Sequence, residues 1–552
     1  MRAMYTVAAA SALALAAQAN ALPADFSKKA DAVLASSYPS DAPGVAAIVV
    51  DDGKVVYASG RGLADVAGKK AITADTVFRL GSITKQFTSA VILQLVEEGK
   101  LSLNDPLSKF LPDYPKPGAE VTVAQLLNHT SGVQSYTGIP GFMAGPKPGQ
   151  PFPTESLIAE FKNMPVEFER GTKWDYNNSG YVLLGAIIEK VTGRPWYEAV
   201  ETRIAKPLGL KSIRYEGEGR IPAMAFGYTV KDGKVALSRP IHPSVPHAAG
   251  ALVGTVRDLA KWSQALHHGK VVKSDTYKQM IAPTKLTDGT ENPYGFGLGN
   301  EEVRGRHVIS HSGGIFGFST YGLYVPDDDV FVAVFSNSDE PTTSTGTTSL
   351  RLAALAVDDP FPSFTKAKVA QSEIEPLLGV YKWNGGERRF FAKDGKFFTR
   401  RDEGQDLEVF SAGNDRFFYG NDSLTWFEVK RDPKGAHLMA MRQSGASKAE
   451  LSTRAGPIPP EAEAVKLPKE TLERYAGRYQ FGPAPLLVAM GEDGRLTVKL
   501  GDQPALPIEP LDETLFRVIG PNAKIRFETA NGAVTRAMLI QGGKERPAER
   551  VN

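Results

Sequence analysis

The sequence predicts a mixed α and β domain followed by two small antiparallel β-barrels, and three observations lead to this fold class. Residues from about 26 to 358 combine helical spacing of apolar residues with short strand-like runs. From about residue 373 the pattern becomes almost entirely strand and hairpin, and this part contains two copies of the same short motifs. The length of 552 residues fits about three domains, at roughly 100–200 residues per domain.

A β-hairpin and a helix are the first predicted elements. The apolar run 45–50 and the run 54–57 flank an Asp-Asp-Gly turn, which is a hairpin signal. A helix is predicted between Ser82 and Gly99, because large apolar residues recur every four positions and the glycine provides a stop.

A second helix and a buried strand complete this domain. The helix is predicted from about 180 to 191, before the Gly-Arg-Pro stop at 193–195. The run 330–335 is continuously apolar, which is typical of a strand covered on both faces. A connector with two prolines, 358–363, follows. We therefore predict that one domain spans residues 22–360.

The remaining chain contains an internal duplication. Gly379-Val380-Tyr381 recurs 98 residues later as Gly477-Arg478-Tyr479. Ala440-Met441 recurs 97 residues later as Ala537-Met538. Offsets that differ by one residue indicate a duplicated module with small changes in loop length.

Each copy has the pattern of a small barrel. Apolar residues alternate strictly along 495–500, so one side of this strand faces a core. Two copies of about 80–90 residues each fit two antiparallel barrels. We predict these barrels at 373–455 and 466–552, joined by the proline-rich linker 457–460. A single continuous sandwich with a fortuitous match remains the alternative.

Composition excludes several classes of function. The 64 Lys and Arg residues nearly balance the 62 Asp and Glu residues, so charge gives no reason to expect nucleic-acid binding. The chain has no cysteine, which excludes disulfides, cysteine nucleophiles and Cys-ligated metals. Histidines and acids do not recur at metal-ligand spacing, so we expect no metal and no cofactor.

The N-terminal residues predict export. Met1-Arg2 precedes an apolar run at 8–17 and the small-residue site Ala19-Asn20-Ala21, which together are typical of a secretory signal peptide. We expect cleavage after Ala21 and a secreted, periplasmic protein without a membrane-spanning segment in the mature chain. The alternative is an apolar helix of the mature fold.

A serine and a lysine are the first candidates for catalysis. Ser82 lies at the predicted helix start and Lys85 follows three positions later, on the same helical face. A serine hydroxyl becomes a nucleophile when a neighbouring base takes its proton, and a buried lysine can be that base. Ser-x-x-Lys alone is also compatible with a capping serine and a surface lysine.

Two further motifs follow in the chain. Tyr176 and Asn178 precede the second helix and supply a phenol for proton transfer and an amide for a substrate carbonyl. His311 and Gly313 precede Gly314 at an apolar run, where glycine permits a substrate to approach a strand edge closely. The backbone N–H groups of Ser82 and Gly314 are candidate donors to an oxyanion.

With these motifs in this order, the chain resembles the serine β-lactamase-like superfamily, in the branch of class C β-lactamases, penicillin-binding proteins and D-aminopeptidases. The resemblance covers roughly residues 27–360. Besides the three motifs it includes these segments: Phe78-Arg79-Leu80-Gly81-Ser82-Ile83-Thr84-Lys85, Gly99-Lys100-Leu101-Ser102, Leu126-Leu127-Asn128-His129-Thr130-Ser131-Gly132 and Asp258-Leu259-Ala260-Lys261-Trp262.

The resemblance implies a fold and a set of roles. The fold is a β-lactamase/transpeptidase-like α/β (α+β) domain whose antiparallel sheet is flanked by helices. Ser82 is the acyl-accepting nucleophile, and Lys85 and Tyr176 share the acid and base work, with the first proton acceptor left open. Asn178 and the third motif, His311-Ser312-Gly313-Gly314, bind substrate. The two barrels resemble the paired, lipocalin-like barrels of D-aminopeptidase-type enzymes.

The function expected on this basis is a secreted serine hydrolase that cleaves peptides or amides containing D-amino acids. Relatives that bind a substrate carboxylate usually have lysine where this chain has His311, which favours aminopeptidase or esterase activity. A carboxylesterase, or a D,D-peptidase with weak β-lactamase activity, is the alternative within this class. A non-catalytic binding protein is the alternative outside it. The expected partner is a small-molecule or peptide substrate, with a homodimer left open.

Overall fold

The computed structural model describes residues 25–551 with short gaps. The gaps are 146, 218–220, 232, 403, 432–436, 461, 482–483, 492, 502, 531 and 542–543. The predicted signal peptide, 1–21, therefore lies outside the described residues. The chain forms two compact units, Met1–Phe361 and Pro362–Asn552. The domain limits 22–360, 373–455 and 466–552 stay predictions.

The helices of the first unit are mostly short. Its α-helices are α1 (Phe26–Ser37), α2 (Thr84–Glu97), α3 (Val123–Leu127), α4 (Thr154–Ala159), α5 (Asn178–Thr192), α6 (Trp196–Val200), α7 (His247–Gly250), α8 (Val256–His267), α9 (Ser274–Ile281) and α10 (Thr345–Ala356). A π-helical segment, Glu201–Ala205, continues α6, and a 3₁₀ turn, Gly81–Ile83, precedes α2. Further 3₁₀ turns are Leu107–Lys109, Gly118–Glu120, Tyr136–Gly138, Lys147–Gly149 and Pro326–Asp328.

The strands of the first unit include one large sheet and several small ones. They are β1 (Val45–Asp51), β2 (Lys54–Arg61), β3 (Leu63–Asp65), β4 (Lys70–Ala71), β5 (Phe78–Arg79), β6 (Arg214–Tyr215), β7 (Tyr228–Lys231), β8 (Lys234–Leu237), β9 (Leu252–Gly254), β10 (Thr284–Lys285), β11 (Glu291–Asn292), β12 (Gly299–Val303), β13 (Arg306–Ile315), β14 (Phe318–Val325) and β15 (Val330–Ser336). The large sheet has the order β12-β13-β14-β15-β1-β2. All of its neighbouring strands are antiparallel.

Helices cover both faces of this sheet. On β15, Phe331, Ala333 and Phe335 enter a core shared with α2, α5 and α8. The alternate residues Val332 and Val334 enter a second core shared with α1 and α10. Because successive side chains of a strand point to opposite faces, a continuously apolar strand requires cover on both sides. The predicted antiparallel sheet flanked by helices is confirmed.

The start and stop signals of the two predicted helices lie at or close to the ends of these helices in the structure. The helix after Ser82 ends at Glu97, and Gly99 adopts a φ of 69° just beyond it. The second predicted helix, α5, begins two residues earlier than its apolar pattern, at Asn178. This difference arises because the Asn177 side chain accepts a hydrogen bond from Gly180 N–H and so caps the helix.

The second unit consists of two closed barrels of eight strands each. The first barrel contains β16 (Gly379–Trp383), β17 (Gly386–Lys393), β18 (Lys396–Arg401), β19 (Leu407–Gly413), β20 (Arg416–Phe418), β21 (Trp426–Arg431), β22 (His437–Arg442) and β23 (Glu450–Gly456). The second contains β24 (Gly477–Phe481), β25 (Ala484–Met490), β26 (Leu496–Leu500), β27 (Leu506–Pro510), β28 (Leu515–Val518), β29 (Ala523–Ala530), β30 (Ala533–Gln541) and β31 (Lys544–Val551). The short helices α11 (Gln371–Ile374) and α12 (Lys469–Tyr475) precede them, with 3₁₀ turns at Glu375–Leu377 and Gln443–Gly445.

The duplication seen in the sequence has a structural counterpart. Tyr381 in β16 and Tyr479 in β24 are both fully buried. Each hydroxyl donates to the carbonyl oxygen four residues earlier, that of Leu377 at 2.5 Å and that of Tyr475 at 2.8 Å. The two barrels are thus copies of one module, and the alternative of a single sandwich is wrong.

Candidate active site

Ser82 lies in the 3₁₀ turn that leads into α2, next to the large sheet. Gly81 before it has a φ of 53°, a conformation that favours glycine. A Cβ on Gly81 would lie 2.9 Å from the Gly314 nitrogen on β13. The Thr320 hydroxyl of β14 donates to the Leu80 carbonyl at 2.8 Å. This close packing brings the Ser82 turn to the end of β13.

Lys85 is fully buried beside this serine. Its Nζ lies 3.1 Å from the Ser82 Oγ and donates to Asn178 Oδ1 and to the Ala249 carbonyl, both at 2.9 Å. Burial lowers the pKa of Lys85 well below its usual value. The amide and carbonyl oxygens can only accept hydrogen bonds, so a neutral amine gives them its two protons. Its lone pair then faces the Ser82 hydroxyl, which is the arrangement of a base.

The aromatic ring of Tyr176 is also close to the Lys85 amine. The Lys85 Nζ is 4.7 Å from the centroid of its ring. Burial raises the pKa of Tyr176 above its usual value, and a hydrogen bond with Ser82 lowers it by a smaller amount. The phenol therefore keeps its proton at neutral pH and can donate it.

Asn178 is held by the start of α5. Its Oδ1 accepts from Lys85, and its Nδ2 donates to Thr137 Oγ1 at 3.2 Å. Because both polar atoms have partners, the amide has one orientation. The structure thus brings together Ser82, Lys85, Tyr176 and Asn178, four residues that the sequence singled out.

The two glycines of the third motif have different surroundings. A Cβ on Gly313 would lie 2.1 Å from the Leu80 carbonyl oxygen and 2.2 Å from Thr320 Oγ1, so this position requires glycine. A Cβ on Gly314 would meet no atom within 4 Å. Gly314 is exposed and faces a cavity, next to the N–H of Ser82 at the helix start. Ser82 and Gly314 line the same cavity, so their backbone N–H groups stay candidates for an oxyanion site.

His311 lies behind this site and not on its wall. It is 6% exposed, and it is not among the residues that line the cavity. Its Nδ1 lies 2.5 Å from the Ser312 carbonyl oxygen, and its Nε2 lies 2.8 Å from the Tyr294 hydroxyl. Both ring nitrogens are therefore engaged with protein groups. Direct substrate binding by His311 stays a prediction that these contacts do not favour.

The cavity that opens on Ser82 has a volume of about 390 Å³. Its wall is largely apolar and includes Met143, Ile241 and Phe316. Asp339 is the one charged side chain among the described residues that line it. The Asp339 Oδ2 accepts from Gly317 N–H at 2.8 Å, and its Oδ1 has no hydrogen-bond partner among the described residues.

Sequence reasoning missed two residues of this site. Asp339 follows the buried strand β15 by three residues, and a polar residue at a strand end was the available signal. Tyr294 precedes Gly295 and Gly297, and a Cβ on Gly297 would lie 2.9 Å from the Lys85 carbonyl oxygen. A glycine-rich segment that packs against α2 was the signal for Tyr294. Within the described ranges, no group of three or more His, Asp or Glu residues could hold a metal ion.

None of the helices in the described part of the chain has the length and apolar composition of a membrane span.

Comparison with known proteins places this site in a family context. Residues 32–356 match the family model described as Beta-lactamase. The chain is 29% identical over 312 residues to "Penicillin-binding protein 4*" of Bacillus subtilis strain 168, which covers 53% of this chain and 68% of that protein. It is 29% identical over 299 residues to a "D-aminopeptidase" of Gluconobacter oxydans strain 621H. That match covers 53% of this chain and 56%, a little over half, of the relative.

A solved structure extends the comparison. The D-stereospecific amidohydrolase from Streptomyces sp. is 29% identical and superimposes with a TM-score of 0.51. The match covers 61% of this chain and 98% of that chain.

Proposed function

The chain belongs to the beta-lactamase family and is a serine hydrolase of the β-lactamase and penicillin-binding protein type, and from this premise we propose that it cleaves amides or peptides of D-amino acids that carry a free amino group. We propose Ser82, Lys85 and Tyr176 as its catalytic residues and Asn178, Gly313 and Gly314 as parts of its substrate site.

The proposed reaction proceeds through an acyl-enzyme. The Ser82 Oγ attacks the substrate carbonyl carbon, and its proton passes to Lys85. The oxyanion accepts hydrogen bonds from the N–H groups of Ser82 and Gly314. The C–N bond then breaks as the leaving amine takes a proton from Tyr176 or Lys85. Water hydrolyses the ester on Ser82 by the same steps in reverse.

Lys85 suits the role of first proton acceptor better than Tyr176. Burial shifts the pKa of the two groups in opposite directions, downward for the amine and upward for the phenol. Both shifts favour the uncharged form. An uncharged amine is a base, whereas an uncharged phenol is a proton donor.

The charge of the cavity is the observation that carries the proposed substrate class. Its described lining residues include one carboxylate, Asp339, and no cationic side chain. A carboxylate can accept up to about four hydrogen bonds, and Gly317 N–H is the one donor to it among the described residues. A substrate ammonium group would supply further donors, whereas a substrate carboxylate would meet repulsion. This favours an aminopeptidase or amidase over a carboxypeptidase or β-lactamase.

The preference for the D configuration is supported by the relatives. The names of the Gluconobacter protein and of the Streptomyces protein both specify D stereochemistry. We therefore propose that the cavity receives an apolar D side chain along its wall of Met143, Ile241 and Phe316.

A panel of matched substrates tests this function. It contains D- and L-phenylalanine amide, N-acetyl-D-phenylalanine amide, p-nitrophenyl acetate and nitrocefin. We expect the highest kcat/KM for D-phenylalanine amide, with a large loss on acetylation because the cation is removed. Fastest turnover of the acetate ester would identify a carboxylesterase, and preference for nitrocefin would contradict the role of Asp339. No turnover and no labelling by a fluorophosphonate would indicate a binding protein.

We also propose that the protein is exported. The charged start, the apolar run at 8–17 and the Ala19-Asn20-Ala21 site support removal of residues 1–21. N-terminal sequencing of protein from the periplasmic fraction tests this, and Leu22 is the expected first residue.

A further inference from the structure

A chain of hydrogen bonds runs behind the active site through three side chains. The backbone N–H of Asn177 donates to His129 Nδ1 at 3.1 Å. The His129 Nε2 lies 3.3 Å from the Tyr294 hydroxyl, which lies 2.8 Å from His311 Nε2. The His311 Nδ1 lies 2.5 Å from the Ser312 carbonyl oxygen.

The two ends of the chain fix the direction of every bond in it. The N–H of Asn177 can only donate, so His129 Nδ1 accepts and a neutral His129 carries its proton on Nε2. That proton is donated to the Tyr294 oxygen. At the other end the Ser312 carbonyl can only accept, so His311 carries its proton on Nδ1. His311 Nε2 then accepts from the Tyr294 hydroxyl, whose other hydroxyl neighbour, Tyr181, donates its own proton to the Leu127 carbonyl at 2.8 Å.

We propose that Tyr294 is a positioning residue that holds His311 neutral, with its proton on Nδ1. This inference rests on the proposed acyl-enzyme site, since His311 acts there through its neighbours. If His311 took a second proton, Tyr294 would face two N–H donors, and its own proton would have to turn from His311 to the Tyr181 hydroxyl. The fixed direction of the chain therefore opposes the imidazolium form, beyond the effect of burial.

A neutral His311 assists the proposed base. Lys85 becomes positively charged when it takes the Ser82 proton, and an imidazolium nearby would oppose that charge. Burial, and after it the positive charge of a protonated Lys85, lowers the pKa of His311 to about 4.

The other groups around His311 are uncharged. Its ring centroid lies 6.3 Å from that of Tyr176 and 5.7 Å from that of Tyr294. The carboxylate of Glu301 on β12 contacts Ser310 and Tyr321, whose side chains are on the opposite face of the sheet. Lys85, which is charged only after it takes a proton, is thus the cationic residue that faces His311 from the packed elements described here.

The test measures histidine tautomers in the intact protein, without substrate. Deuterated protein labelled with ¹⁵N-histidine gives long-range ¹H–¹⁵N spectra, and His129→Gln and His311→Gln assign the two rings. We expect opposite tautomers, Nε2–H for His129 and Nδ1–H for His311, and no protonation of His311 down to about pH 6. The same tautomer on both rings, or an imidazolium on His311 at neutral pH, would overturn the proposal.

The Tyr294→Phe variant then tests the role of the hydroxyl. Without this donor the neutral form of His311 is less favoured, so its pKa should rise by roughly one pH unit. The acidic limb of the profile of kcat/KM against pH should move to higher pH together with this pKa. Tyr324→Phe removes another buried tyrosine hydroxyl, one that donates to Asp329, and should change neither value.

An unchanged pKa of His311 in folded Tyr294→Phe protein would refute the positioning role. If that variant does not fold, the tautomers of the wild-type protein still decide the proposal. The spectra need no turnover, so failure of the proposed function would show in the substrate panel alone.

Discussion

The Nζ of Lys85 lies 3.1 Å from the Ser82 Oγ, and its other two contacts are oxygens that can only accept hydrogen bonds. Burial favours the neutral amine, which gives its two protons to these acceptors and turns its lone pair to the Ser82 hydroxyl. Burial alone would lower the pKa of Lys85, but it would not aim the lone pair at the serine. The contacts with Asn178 and Ala249 determine that direction.

Replacing Ser82 by alanine should abolish turnover and covalent labelling while the protein stays folded. Loss of a nucleophile from a cooperative site costs several orders of magnitude in rate. Mass spectrometry after reaction with a fluorophosphonate is the measurement. Ser89→Ala on the same helix is the control and should keep full labelling. An adduct on another residue of the Ser82→Ala protein would show that the nucleophile is misassigned.

Replacing Lys85 by methionine should remove activity and also change how stability depends on pH. The unfolded chain has a lysine pKa of about 10.4, whereas burial lowers it in the folded protein. Between these two values the unfolded state binds one more proton, so the free energy of unfolding rises with pH. Lys85→Met lacks this contribution.

Urea unfolding of both proteins at about pH 7 and pH 10 measures the difference. The wild-type protein should gain more stability between these two pH values than the variant does. Equal gains would mean that Lys85 is not held in its uncharged form.

Gly313→Ala and Gly314→Ala form a matched pair. The Cβ at position 313 would collide with the Leu80 carbonyl and Thr320, at a cost of about 1–3 kcal/mol in stability. The Cβ at position 314 would meet nothing within 4 Å. Thermal unfolding should therefore show a lower Tm for Gly313→Ala and little change for Gly314→Ala. Equal effects would contradict the described packing of the third motif.

Replacing Asp339 by asparagine should lower kcat/KM for substrates that carry an ammonium group. The shape of the side chain is kept while its charge is lost, so kcat/KM for D-phenylalanine amide should fall roughly ten- to hundredfold. The value for p-nitrophenyl acetate should stay the same. Glu340→Gln alters the exposed neighbouring acid and serves as the control. A parallel fall for both substrates would exclude a contact between Asp339 and the substrate amine.

A protein consisting of residues 22–361 should fold and still be labelled on Ser82. Both cores around the large sheet are built from residues within this range, and a domain of this size buries enough apolar surface to be stable alone. Circular dichroism and labelling with a fluorophosphonate are the measurements. A folded fragment that is not labelled would mean that the barrels contribute to the catalytic site.

Local patterns in the sequence predicted much of this architecture. The helix after Ser82, the buried strand β15 and the duplicated barrels depend on periodicity and on glycine, which are visible in one chain. For Tyr294 and Asp339 the local signals, nearby glycines and a strand end, do not indicate which groups these side chains meet. Their surroundings come from segments far apart in the chain: His129 and Tyr294, for example, are separated by 165 positions. Only the folded protein shows which distant side chains meet.

The third motif, His311-Ser312-Gly313-Gly314, also shows what a sequence pattern cannot indicate. His311 and Gly314 lie on one strand, β13, and Gly314 lines the same cavity as Ser82. The motif could not indicate that the two ring nitrogens of His311 are both used by protein groups. A motif specifies residue types and order, whereas the availability of an atom depends on packing.

The closure of each barrel bears on how this chain could have evolved. Every strand of each barrel pairs with two neighbours, so neither copy presents an open edge that another strand must complete. A self-contained module of this kind can be gained or lost by duplication or deletion of its gene segment without unpairing a strand elsewhere. The buried pair Tyr381 and Tyr479, each bonded to a carbonyl four residues earlier, is a trace of such an event. Homologues with one barrel, or with three, would therefore be compatible with the same ancestral module.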